Sequence, residues 1–170
     1  KILVLAVAAA AMLTSACNTI SGAGQDVSAA GRAVSGAADD ASGVAALLEI
    51  ARVTKDAKRP RRSLLFVCFD LEEAGLLGSE RFVEAPPFPL ERIALFTNMD
   101  MLGRDLLDAV EGTVFVLGAE HSPSLRPLIE KAAEGTQVKA GMVGSDLIGV
   151  RGDYGPFAAK RIPFLFFSTG

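Results

Sequence analysis

Three acidic stations in the sequence could do chemistry. Asp39 and Asp40 stand together among small residues, Asp70-Leu71-Glu72-Glu73 follows directly on an apolar run that ends at Phe69, and Asp100 shares a second apolar run with Asn98. A carboxylate beside a buried strand end keeps its charge only when it is paired, hydrogen-bonded or bound to metal. Carboxylates from Asp39, from Glu72-Glu73 and from Asp100 that converged on one sheet edge would offer oxygen ligands to zinc or another divalent ion, which such ligands suit together with an occasional histidine. Each station also has a plain structural explanation. Asp39 and Asp40 suit a helix N-cap, Glu72-Glu73 a solvated helix start, and Asp100 a loop cap. Spacing alone leaves both explanations open.

Other reactive side chains are sparse. Cys68 lies inside an apolar run, where burial disfavours a thiolate, so it reads as inert core and implies no cysteine hydrolase. The single histidine, His121, precedes Ser122-Pro123-Ser124 and reads as a surface residue flanking a helix entrance. Arg151-Gly152-Asp153 spells an integrin-type tripeptide, a match too short to carry an argument.

The elements that must hold these groups follow from hydrophobic patterning. Of 170 residues half are hydrophobic and 22% charged, enough apolar material for one core and one compact domain. With 17 basic against 20 acidic residues the net charge is -3, which leaves no electrostatic footprint for nucleic acid. Ser63 to Phe69 is an unbroken apolar run and reads as a central parallel strand buried on both faces. Further strands are expected near residues 94–100, 113–117 and 163–167. Val44, Leu47, Leu48 and Ala51 make the stripe of a helix over 43–55, stopped by the basic linker around Pro60. Leu125, Leu128, Ile129 and Ala132 make another over 124–134, closed by Gly135. Alternating strands and helices predict an α/β fold with a mainly parallel buried sheet flanked by helices, in which ligands bind beyond the carboxyl ends of the strands.

The first residues read differently. Ile2 to Leu13 is an apolar run behind Lys1, too short to span a bilayer as a helix, and it reads as a signal peptide over residues 1–16. Ser15-Ala16-Cys17 resembles the lipobox of bacterial lipoproteins, with Thr14 where leucine is usual, and this implies lipid attachment at Cys17 and an exported, envelope-bound or periplasmic protein. Residues 17–38 are almost wholly small and polar and cannot make a core. Cys17-Asn18-Thr19, Gly22-Ala23-Gly24-Gln25-Asp26-Val27 and Ala33-Val34-Ser35-Gly36-Ala37-Ala38 resemble the entericidins, very small bacterial lipoproteins, so a flexible lipid-tethered leader is expected ahead of a domain over 39–170.

From Gly36 onward the chain resembles family 28 of the metallopeptidases, the zinc aminopeptidase family. Four ordered segments carry the likeness: Gly36-Ala37-Ala38-Asp39-Asp40-Ala41-Ser42-Gly43-Val44-Ala45, Phe69-Asp70-Leu71-Glu72-Glu73-Ala74-Gly75-Leu76-Leu77-Gly78-Ser79, Asn98-Met99-Asp100-Met101-Leu102-Gly103-Arg104, and Gly155-Pro156-Phe157 with Ile162 to Gly170. The resemblance implies a zinc-dependent exopeptidase acting on peptides through water activated by two metal ions. Asp39 would bridge the ions, Glu73 would ligate one and Asp100 the other, and Glu72 would be the general base. The Asp39-Asp40 peptide would be cis.

This sequence also departs from the family. The family's site uses two further histidines, one upstream of the Asp39 motif and one after the final Ser-Thr-Gly, and neither is present in these 170 residues. His121 falls where the family has no ligand. A partial or chimeric peptidase segment is the simplest account, incomplete or inactive as it stands. The alternative is a non-catalytic, lipid-anchored envelope protein carrying a peptidase remnant. Where the family has Ser-Asp-His, the chain reads Gly152-Asp153-Tyr154, and Tyr154 either hydrogen-bonds a substrate oxygen or packs beside Pro156 and Phe157.

Overall fold

The four apolar runs expected as strands share one sheet in the computed structural model, which describes residues 2–8, 41–57, 60–102 and 110–170. They are β2 (Ser63–Phe69), β3 (Ile93–Met99), β4 (Thr113–Leu117) and β6 (Phe164–Ser168). Two strands were not expected. The short β5 (Lys139–Met142) pairs with β4, and β1 (Ile2–Ala8) is drawn from the segment expected to be a signal. The order is β2-β1-β3-β6-β4-β5. Every pairing is parallel except that of β4 with β6. The leader over 17–38 lies outside the described residues.

β1 corrects the reading of β2 as a central strand. With β1 between it and β3, β2 stands at the edge of the sheet, and its residues are mostly half-buried. Cys68 is corrected with it, being exposed rather than core. It alternates onto the face of Leu64 and Phe66, on which the helix over residues 41–56, α1, packs.

Side chains alternate along the strands, so each strand feeds two cores. On one face α1 sets Val44, Leu47 and Ile50 against Leu64, Phe66, Met99 and Phe167. Beside it α3 (Arg126–Ala133), with Leu125 just ahead, packs Ile129 on Val116, Met142 and Leu165. Leu48 and Leu128, both expected on these apolar stripes, are 65% and 61% exposed, because each helix touches the sheet along a narrower line than its apolar positions allow. Gly135 takes a left-handed φ of 76° just beyond α3, as a helix-closing glycine should.

The opposite face is aromatic. There α2 (Leu77–Glu84) and α5 (Tyr154–Ala159) cover Phe69, Phe96, Phe164 and Phe166 with Val83, Tyr154 and Phe157. A further short helix, α4 (Ser145–Ile148), leads toward α5. Among the described residues no helix is long and apolar enough to cross a membrane.

Candidate active site

Because β1, β2, β3 and β6 run parallel, the segments that follow β2 and β3 emerge at the same end of the sheet. Asp70 to Glu73 leave the end of β2 there, and Asp100 leaves the end of β3. Phe96, Asn98 and Asp100 alternate onto the face covered by α5, which begins directly after Asp153.

Local backbone geometry is costly around these carboxylates. Four described non-glycine residues have positive φ, and three of them flank the acidic stations: Leu71 at 56°, Leu76 at 63° and Met101 at 51°. Such left-handed conformations disfavour L-residues and concentrate where the surrounding structure imposes them for function. Residues 70–78 form a tight turn in which the Glu72 carbonyl accepts the N–H of Gly75 at 3.0 Å and of Leu76 at 2.8 Å, and Gly78 donates to the Asp70 carbonyl at 3.2 Å. A Cβ at Gly78 would stand 2.5 Å from that carbonyl oxygen, so glycine is required there. Glu72 and Glu73 therefore sit in a turn rather than at a helix start, which comes later at Leu77.

The Asp100 station is pinned from two directions. Its N–H donates to the Phe167 carbonyl at 3.1 Å, and the Met101 carbonyl accepts both the N–H of Thr169, at 3.0 Å, and its hydroxyl, at 2.8 Å. Leu102 donates its N–H to the Ser42 hydroxyl at 3.0 Å, which brings the first turn of α1 to the same place. Asp39, expected as the bridging ligand, lies just ahead of α1 but outside the described residues, as do the Asp39-Asp40 peptide and Cys17.

The charges at this end of the sheet act on one another. Glu72 is half-buried, and its pKa is pushed up to about 7, first by loss of solvent and then by the negative charges of Asp100, Glu73 and Asp153. Glu73 is exposed. Asp153 is wholly buried, and neither of its oxygens has a hydrogen-bond partner of good geometry. Burial raises it to about 6, opposed by the nearby Ser79 hydroxyl and helped by the charges of Asp100 and Asp70. Ser79 itself donates to the Leu76 carbonyl at 3.0 Å. Asn98 is equally buried, with both ends of its amide unpartnered. Gly152 lies against it: its φ is +145°, and a Cβ there would stand 3.1 Å from Asn98 Oδ1.

Asp153 was not singled out from the sequence as a site residue. It stands in the tripeptide Arg151-Gly152-Asp153, whose glycine and aspartate are buried and so offer no surface epitope. The available signal was its position as the middle residue of the family's Ser-Asp-His. Tyr154, expected either to meet substrate or to pack, is 1% exposed and stacks on Phe164 with ring centroids 4.7 Å apart. Its hydroxyl donates to the Gly149 carbonyl at 2.6 Å and accepts the Arg151 N–H at 3.1 Å. That hydroxyl is committed to its own loop, which favours packing.

His121 belongs elsewhere. Its Nε2 is 3.0 Å from the Ser145 hydroxyl, and Glu120 accepts the Ser145 N–H at 2.6 Å. Its ring lies 6.0 Å from that of Phe164, three residues along β6 from the Phe167 that holds Asp100, a distance of roughly 10 Å along a strand. Zinc takes four ligands and favours nitrogen or sulfur among them. Among the described residues the candidate ligands at the strand ends are carboxylates, and no three His, Cys, Asp or Glu side chains group closely enough to hold an ion. As described, this donor set does not fit zinc.

The sequence and fold are nonetheless similar to those of known enzymes. The model of peptidase family M28 matches residues 18–170. BSAP, a zinc aminopeptidase from Bacillus subtilis, superposes on 78% of the chain with a TM-score of 0.62 and 27% identity, the match covering 32% of that enzyme. The LapA aminopeptidase of Legionella pneumophila superposes on 99% of the chain with a TM-score of 0.64, 23% identity and 40% of its own chain covered, a likeness of fold. Aminopeptidase NAALADL1 of Rattus norvegicus is 45% identical over 65 residues, which are 35% of this chain and 9% of that protein. The chain thus spans less than half the length of these solved relatives and about a tenth of NAALADL1.

Proposed function

The chain belongs to peptidase family M28, and from that premise we propose that it carries the carboxylate-bearing part of a zinc-dependent exopeptidase site of aminopeptidase type, with peptides as substrate. The observation that carries this reading is that the turn after β2, which bears Glu72, and the end of β3, which leads into Asp100, emerge at the same end of one parallel sheet. In this reading Glu72 is the general base. It takes a proton from the attacking water and returns it to the leaving amine, and a proton affinity near neutrality supports transfer in both directions. Asp39, Glu73 and Asp100 are the carboxylates the chain would contribute to metal. The described donors do not complete a zinc site, so no step is assigned to the ion.

The test is hydrolysis of an aminoacyl nitroanilide by the natural full-length product supplied with zinc, compared with its Glu72→Gln variant. Loss of at least about 100-fold in kcat with zinc content unchanged is expected from removal of a general base. Turnover that survives Glu72→Gln would overturn the assignment.

A further inference from the structure

β2 and β3 bring the acidic segments to one end of the sheet, yet they do not pair with each other, because β1 lies between them. Its backbone matches β2 at seven positions, from Ile2 opposite Ser63 to Ala8 opposite Phe69. It matches β3 at six, from Ile2 opposite Ile93 to Val7 opposite Met99, with one irregularity between Ile2 and Leu3. Paired strands stand about 4.8 Å apart, so the interposed strand sets β2 and β3 roughly 10 Å apart. Without it, two facing rows of backbone N–H and C=O groups would lose their partners, and β2 would have no neighbour in the sheet. The spacing of the strand ends that lead to Glu72 and Asp100 is therefore set by a segment that carries neither.

The sequence of that segment, Ile-Leu-Val-Leu-Ala-Val-Ala, has no charge, proline or glycine, as a parallel strand with neighbours on both sides requires. The same composition makes an export signal. Both uses cannot be completed in one molecule, since cleavage ahead of Cys17 would take β1 away. We propose that Ile2–Ala8 is the spacer strand of the folded site, retained in the folded protein, so that processing ahead of Cys17 and assembly of the site exclude one another.

The test is amide hydrogen exchange with intact-mass measurement on the purified full chain. Residues 2–8 should be present, with amides slowed at least roughly 100-fold relative to an open chain, alongside those of β3. Val4→Pro removes an N–H in the middle of β1, facing Leu65 and Phe96, and should speed exchange in β2 at least about 10-fold while the β4–β5 pair keeps its protection. Val4→Thr, which keeps the N–H and the β-branch, should leave the pattern unchanged. Open-chain exchange at residues 2–8 with β2 and β3 still protected would overturn the proposal. So would an unchanged β2 in a chain beginning at Cys17. None of these readouts depends on turnover, so the spacer strand and the peptidase reading stand or fall separately.

Discussion

Phe157 stacks on Phe96 with ring centroids 3.8 Å apart and planes 13° from parallel, directly beneath the acidic end of β3. Phe96 shares its strand face with Asn98 and Asp100, and Phe157 lies in the helix that follows Asp153. One aromatic pair thus ties the two buried polar stations to a common floor. Phe157→Ala should cost about 3–5 kcal/mol in urea unfolding, the usual penalty for emptying a fully buried aromatic site. A loss under 1 kcal/mol would mean that α5 is not anchored there.

Stability should fall as pH rises. Glu72, at about 7, and Asp153, at about 6, hold protons in the folded protein that the unfolded chain releases at the ordinary carboxylate values of 4.5 and 3.8. Between about pH 4 and 7 the folded state binds more protons, so this contribution is fully present in acid and is lost as pH passes the folded values. Asp153→Asn should therefore gain about 3 kcal/mol over the native chain at pH 8 in zinc-free buffer, and less than about 1 kcal/mol at pH 4. An equal difference at both pH values in urea titrations would rule out the charge as its cause.

Ser42→Ala should loosen the loop after β3, because the Ser42 hydroxyl receives the Leu102 N–H across 60 residues of sequence. A loss of about 1–2 kcal/mol is expected, with faster amide exchange at Leu102. Unchanged exchange at that amide would show that other contacts hold the loop.

Zinc should bind the isolated chain weakly. Changes to supporting partners alone cost metal sites about 10–100-fold each, and among the described residues no group of three metal-binding side chains forms. Calorimetry should find no zinc affinity tighter than about 10 μM, and a chelator should leave the thermal midpoint unmoved. Stoichiometric zinc surviving dialysis would mean that residues beyond those described complete the site.

The fold was legible wherever burial follows from a continuous apolar run, as in β2, β3, β4 and β6. β5 was not, because Lys139-Ala140-Gly141-Met142 has neither a run nor an alternation and is a strand only by its pairing with β4. β1 was not expected, because an apolar stretch reads alike as strand or signal, and register is invisible without its partners. At the site, Glu72 and Asp100 announced themselves as charges against buried strand ends. Asp153 did not: its burial is decided by α5 folding over the aromatic face, a tertiary event with no local trace.

The hydrogen bonds from Asp100 to Phe167 and from Thr169 to Met101 also bear on the order in which the molecule is made. The latter closes across 68 residues. Contacts of such long range form late, since the chain must give up the entropy of a large loop before the bond can reward it. Asp70 to Glu73 can adopt their turn from local bonds alone, but Asp100 acquires its frame only once β6 has docked. The acidic end of the sheet is therefore among the last parts of the protein to mature, and a folding intermediate lacking β6 would keep its aromatic floor unfinished and its carboxylates apart.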